Sequence, residues 1–160
     1  MKLFILFILS LYLGSCSTDK EKMLADNLAI ENGQNMAQVT AVGFDGEENA
    51  YIFEVTIASP DTGCDQYADW WEVLDLEGKL LYRRILAHSH VTDQPFTRSG
   101  GDIEIMADTE VYVRAHMNNS GYAAQAQKGS VANGFEATEL DPEFAQDVAQ
   151  QEPLPDGCAF

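Results

Sequence analysis

Three patterns of apolar and polar residues follow one another along the chain. From Leu3 to Leu13 the residues are apolar but for Ser10, and Lys2 precedes them. Residues 17–36 are polar, with a weak helical spacing in Leu24 and Leu28 that Asn32-Gly33 interrupts. From Val39 onward the period becomes two. Tyr51, Phe53, Val55 and Ile57 alternate with Ile52, Glu54 and Thr56, the pattern of a strand buried on one face. Ser59-Pro60-Asp61-Thr62-Gly63 supplies turn residues to end it. A strand pair is predicted over Trp70 to Leu74 and Leu80 to His88, joined by Asp75-Leu76-Glu77-Gly78, whose glycine suits a hairpin of that length. After a loop over Thr92 to Gly101 come strands at Ile103 to Met106 and Val111 to Met117. The turn Asn118-Asn119-Ser120-Gly121 leads to a weaker strand over Tyr122 to Gln127.

About seven strands separated by polar turns, with no helical period before the tail, predict an all-β domain of two packed antiparallel sheets. With its central Trp and Tyr, residues 37–132 resemble an immunoglobulin or fibronectin type III sandwich. The cysteines do not follow the immunoglobulin inter-sheet pair, because Cys158 lies beyond the last predicted strand. Residues 133–160 form an acidic tail. Within it Asp141-Pro142-Glu143 reads as an N-cap, a first-turn proline and an acid at the positive end of a short helix over about residues 142–150.

The first apolar run stops after about a dozen residues, short of the roughly 20 needed to cross a bilayer. With Lys2 before it and Gly14-Ser15 after it, it has the layout of a secretory signal peptide over residues 1–15. Leu13-Gly14-Ser15-Cys16 resembles the lipobox of bacterial lipoproteins, although that pattern prefers Ala or Ser where Gly14 stands. The resemblance implies that Cys16 is lipidated and becomes the mature N-terminus, with residues 16–36 as tether. It also implies palmitate among the acyl chains and, with Ser17 rather than Asp next, an outer-membrane destination in a Gram-negative cell. Each buried CH₂ contributes about 0.8 kcal/mol, so a lipid with several chains anchors where one does not. The competing reading is an ordinary cleaved leader, or an unprocessed anchor, with Cys16 free or paired.

The formal net charge is −17, one unit more negative once Lys2 leaves with the leader. Such a field excludes nucleic acid as a partner and disfavours anionic lipid head groups, both of which need basic surfaces. With Cys16 assigned to lipid, Cys64 and Cys158 remain, and in an oxidising compartment a matched pair becomes a disulfide. Closing so long a loop stabilises by up to about 4.5 kcal/mol in the chain-entropy model. Two thiols serving a metal or a redox step are the functional alternative.

Candidate chemistry gathers on the predicted strands. His88 and His90 share a face if the first of the two strands carrying histidines runs through Ser89, and Tyr112, Arg114 and His116 share one on the other. With Trp70 or Trp71 between them they make a Trp/Tyr/Arg/His surface. Such side chains dominate binding hot spots and suit a protein or glycan partner in the envelope. The alternative is a zinc or copper site of His88, His90 and His116 with Asp65 or Asp69. The third reading is structural: cross-strand pairs and buried aromatics, with Met106 and Met117 in the core. The doublets Trp70-Trp71 and Arg83-Arg84 leave the register open. No nucleophile elbow, phosphate loop or His-Glu-x-x-His motif marks an enzyme. Asp65 and Asp69 are spaced as neighbouring acids are by chance in so acidic a chain, and Asp45 to Asn49 reads as a turn rather than a calcium loop.

Overall fold

The computed structural model describes residues 35–159. The leader, Cys16 and nearly all of the tether lie outside the described residues, so the roles assigned to them are not addressed by the fold. Nine strands follow in order: β1 Gln38–Asp45, β2 Tyr51–Ala58, β3 Ala68–Leu74, β4 Leu80–Ile85, β5 Phe96–Ile103, β6 Val111–Met117, β7 Gly121–Tyr122, β8 Gln125–Ser130 and β9 Gly134–Glu139. One sheet has the order β1-β2-β5. The other has β4-β3-β6-β8-β9, with β7 beside β6. All pairings are antiparallel. The two sheets face each other as the expected sandwich, with β3 between β4 and β6.

The alternation of β2 fixes its register, with Phe53, Val55 and Ile57 fully buried and Ile52 and Glu54 exposed. Opposite them the second sheet contributes Trp71 and Val73 from β3 and Val111, Val113, Ala115 and Met117 from β6. Met117 is core, as expected, whereas Met106 is about half exposed on the loop after β5.

Four elements differ from the sequence reading. The loop expected over Thr92 to Gly101 contains most of β5, which pairs with β2 from Ile57↔Phe96 to Tyr51↔Ile103, and the strand expected over Ile103 to Met106 ends at Ile103. Gly100 has a packing reason. A Cβ on Gly100 would sit 2.9 Å from the Trp71 ring and 2.6 Å from the Tyr82 hydroxyl, so it marks close approach rather than a turn. β4 stops at Ile85, which leaves His88 and His90 in the following loop. β9 lies in what was read as tail, where Phe135 packs edge-on against Phe53 at 5.5 Å. The expected helix is reduced to a 3-10 turn over Gln146–Gln150. Asp141 is not its N-cap: that position is Ala145, with no side-chain bond, and Asp141 Oδ1 accepts from the Glu143 N–H at 2.8 Å in the turn before it.

Candidate functional site

Three strands carry one charged row across the outer face of the larger sheet. Glu72 on β3 lies directly opposite Arg83 on β4 and Arg114 on β6. All three are buried, Glu72 completely. Arg83 donates to Glu72 Oε2 through Nε at 2.9 Å and Nη2 at 2.6 Å, and Arg114 Nε donates to Oε1 at 2.9 Å. Trp70 Nε1 also donates to Oε2 at 3.0 Å. The guanidinium of Arg83 lies 4.4 Å from the centre of the Trp70 ring, and that of Arg114 3.5 Å from that of Tyr122. Cation–π contact in a desolvated setting adds to the ion pairs. Burial, then the Glu72 carboxylate, pushes the Tyr122 hydroxyl well above the usual tyrosine range. One carboxylate against two guanidiniums leaves this buried row with a net positive charge.

The other hydrogen bonds of the two arginines go to the C-terminal tail. Arg83 Nη1 donates to the carbonyls of Gln151 at 2.6 Å and Pro153 at 3.1 Å, and Nη2 to that of Val148 at 2.8 Å. Together with the bonds to Glu72 these use all five N–H groups of the guanidinium. Arg114 Nη1 and Nη2 donate to the carbonyls of Phe144 at 2.9 Å and Ala145 at 2.8 Å. The tail leaves β9 where the Leu140 N–H meets the Ala124 carbonyl. It reaches Gly78 in the β3–β4 hairpin, where a Cβ would lie 2.8 Å from that of Ala145. Phe144 sits edge-on to Tyr112 at 5.3 Å, and Val148 is buried. The far end is pinned by the Ala159 N–H on the Ala87 carbonyl and by a disulfide between Cys64 and Cys158, the pair expected from the sequence.

Of the four side chains assigned to a binding face, Trp70, Tyr112 and Arg114 lie on this side of the sheet, and Trp71 lies on the other, in the core with no exposure. Glu72, the central member, is absent from the expected site residues, and Arg83 enters only within an unresolved doublet. Their signal was an acid alternating with Trp70 and Leu74 on a predicted central strand, with an arginine on each predicted neighbour.

The histidines separate into two places. His116 stacks on Trp70, ring centres 3.7 Å apart, and its Nδ1 is 2.7 Å from Asp69 Oδ1. A carboxylate that orients an imidazole is half of a general-base arrangement. Here Trp70 and Tyr122 flank the ring, and among the described residues no serine, threonine or cysteine hydrogen-bonds to it. His88 and His90 do side together, ring centres 4.8 Å apart, but on the loop after β4. His90 is buried and stacked on Phe96 at 3.7 Å, and neither ring nitrogen has a hydrogen-bond partner. Burial, then the charge of Arg98, holds its pKa below the usual histidine value. Beside it Asp61 staples three segments, its carboxylate accepting from Ser59 Oγ at 2.6 Å, the Ala68 N–H at 3.0 Å and the His90 N–H at 2.7 Å. Asp65 is exposed next to Cys64. Among the described residues no group of three or more His, Cys, Asp or Glu side chains is placed to hold a metal ion.

Fold and site together define a β-sandwich module whose polar sheet face is closed by its own disulfide-pinned tail. The chain is 41% identical over 114 residues, 70% of its length, to a protein of Halomicrobium mukohataei named "Putative lipoprotein". It spans 55% of that relative, about half of its length. No protein family model and no solved structure matches the chain.

Proposed function

We propose that this chain is a lipid-anchored lipoprotein of the cell envelope whose extracytoplasmic domain is a non-catalytic module. The relative's name and the lipobox-like segment ending at Cys16 support the anchor. The disulfide adds to this, since pairing Cys64 with Cys158 leaves Cys16 as the remaining cysteine. The observation that carries the non-catalytic reading is the buried row Arg83–Glu72–Arg114. Its donors end on the tail's carbonyls, so the residues that resembled a hot spot serve the fold. An envelope protein or glycan would therefore meet a surface already covered. In a Gram-negative cell Ser17 favours the outer membrane.

Fractionation tests the anchor. The wild-type protein is expected in the membrane fraction and in the detergent phase, and Cys16→Ala in the soluble extracytoplasmic fraction. A Cys16→Ala protein that still partitions with detergent would refute it.

The zinc or copper alternative finds support in the two unpartnered nitrogens of His90 beside His88. It draws on that pair without His116, whose Nδ1 is taken by Asp69. Elemental analysis of protein purified without chelator decides it. One metal per chain, lost in His88→Ala, upholds the alternative, and a metal-free chain removes it.

A further inference from the structure

The tail covers the Arg83–Glu72–Arg114 row in an unusual way. Between Leu140 and Cys158 its side chains bury little, with Val148 enclosed and Phe144 resting on Tyr112. Its main hold on the sheet is five backbone carbonyls lying on the arginines. A carbonyl is common to every residue, so this mode of docking recognises an extended backbone rather than a particular side-chain sequence. Charge adds a bias. From Glu136 onward the tail carries acids and no Lys or Arg, and the row beneath is net positive.

The tail runs out from β9 to the β3–β4 hairpin at Gly78 and returns to Cys64, so it is held at both ends, by the peptide chain at β9 and by the disulfide at Cys158. Both cysteines of that bond are half-buried rather than enclosed. While the bond stands, the tail competes for the arginines at the high effective concentration of a tethered ligand. Once it breaks, β9 is the one covalent link left to residues 141–159, and the arginine bonds, Val148 and the Ala159 N–H hold them to the sheet without that second tether.

We propose that residues 141–156 are a strap occupying a recognition surface for an extended acidic peptide, and that a dithiol reductant opens it at Cys64–Cys158. A thiolate of the dithiol attacks one sulfur of the bond, forming a mixed disulfide and releasing the other cysteine as a thiolate. The reductant's second thiol then displaces the first cysteine. Two electrons and two protons pass to the protein, which ends with two thiols, and the dithiol ends as a disulfide. The surface exposed consists of the five arginine donors, flanked by Trp70, Tyr122 and Tyr112. It needs neither the lipid nor a membrane, so it stands or falls separately from the anchor.

The test compares the oxidised chain with the chain reduced by dithiothreitol, and with Cys158→Ser without reductant. Amide hydrogen exchange and binding of a fluorescent peptide with the sequence of residues 141–156 are the readouts. Release is expected to speed exchange at 142–156 at least tenfold while β3 and β6 stay protected. The peptide is expected to bind the released chain at least tenfold more tightly than the oxidised one, and Arg114→Gln to abolish that gain. Unchanged exchange in the strap would overturn the proposal, as would equal peptide binding in both states. Loss of protection in β3 and β6 on reduction and in Cys158→Ser alike would overturn it too, because the bond would then hold the domain and not a strap.

Discussion

Around Glu72, on β3, β4 and β6, the larger sheet is buried on both faces, by opposite means. Inward, Trp71, Val73, Val113, Ala115 and Met117 meet the other sheet as an apolar layer. Outward, on the same strands, Trp70, Glu72, Arg83, Arg114 and His116 are sealed by a tail with little regular structure. An apolar layer loses stability in proportion to the atoms removed. A buried charge row behaves otherwise, because removing one member leaves its partners desolvated and unpaired. Burial alone therefore says little about how a face responds to change; what matters is whether its atoms need particular partners.

Substitutions on each face make this contrast measurable. Glu72→Ala leaves two guanidiniums buried without a carboxylate and is expected to destabilise by about 3–5 kcal/mol, read as the shift in urea midpoint. If Glu72, Arg83 and Arg114 are instead replaced together by Leu, Met and Met, part of that loss is expected to vanish, since an apolar trio of similar volume has no unpaired charge, although the five tail carbonyls lose their donors. A triple variant as unstable as Glu72→Ala would show that the row contributes through more than its own pairing. On the inner side, Gly100→Ala drives a methyl into Trp71 and the Tyr82 hydroxyl, and a loss of about 1–3 kcal/mol is expected from overpacking. The smallest effect belongs to His90, the titratable group between the two sheets' loops. Its pKa is lowered in the fold, by burial first and then by Arg98 and His88, against the opposing pull of Asp61 and Asp93. The unfolded chain thus takes up this proton first as the pH falls. Stability from a neutral His90 is complete above about pH 6.5 and declines below it. His90→Phe is expected to flatten the fall in thermal midpoint between pH 7 and pH 5, and equal slopes for both proteins would contradict this.

Much of the sandwich was legible because β2 and β6 alternate cleanly, and the disulfide because Cys64 and Cys158 were the pair left once Cys16 was assigned to lipid. β3 lies between β4 and β6, as the expected Trp-centred surface required. What escaped notice shares a physical cause: contacts made by the backbone leave no side-chain pattern. Gly100 resembles any loop glycine until the ring it admits is seen, and the tail's carbonyls carry no signature of the arginines they satisfy. The doublet Trp70-Trp71 could not be resolved by period alone, since a one-residue slip exchanges the faces. The acid at Glu72 was the available clue, because an acid in the middle of a central strand requires cations beside it.

The entry of the chain into β1 also places the start of the domain relative to its cystine. Met36 and Gln38 border the same shallow groove as Ala58, Ser59 and Pro60, so the chain arrives at the pole that carries the β2–β3 loop and Cys64. Eight residues along β1, the opposite pole gathers exposed Glu47, Glu48, Asp102, Glu104 and Asp108, with Glu48 Oε1 accepting from the Ala107 N–H. The start of the described domain and the cystine therefore share one pole, so a force drawn through the beginning of β1 would enter the sandwich at the end that Cys64–Cys158 staples.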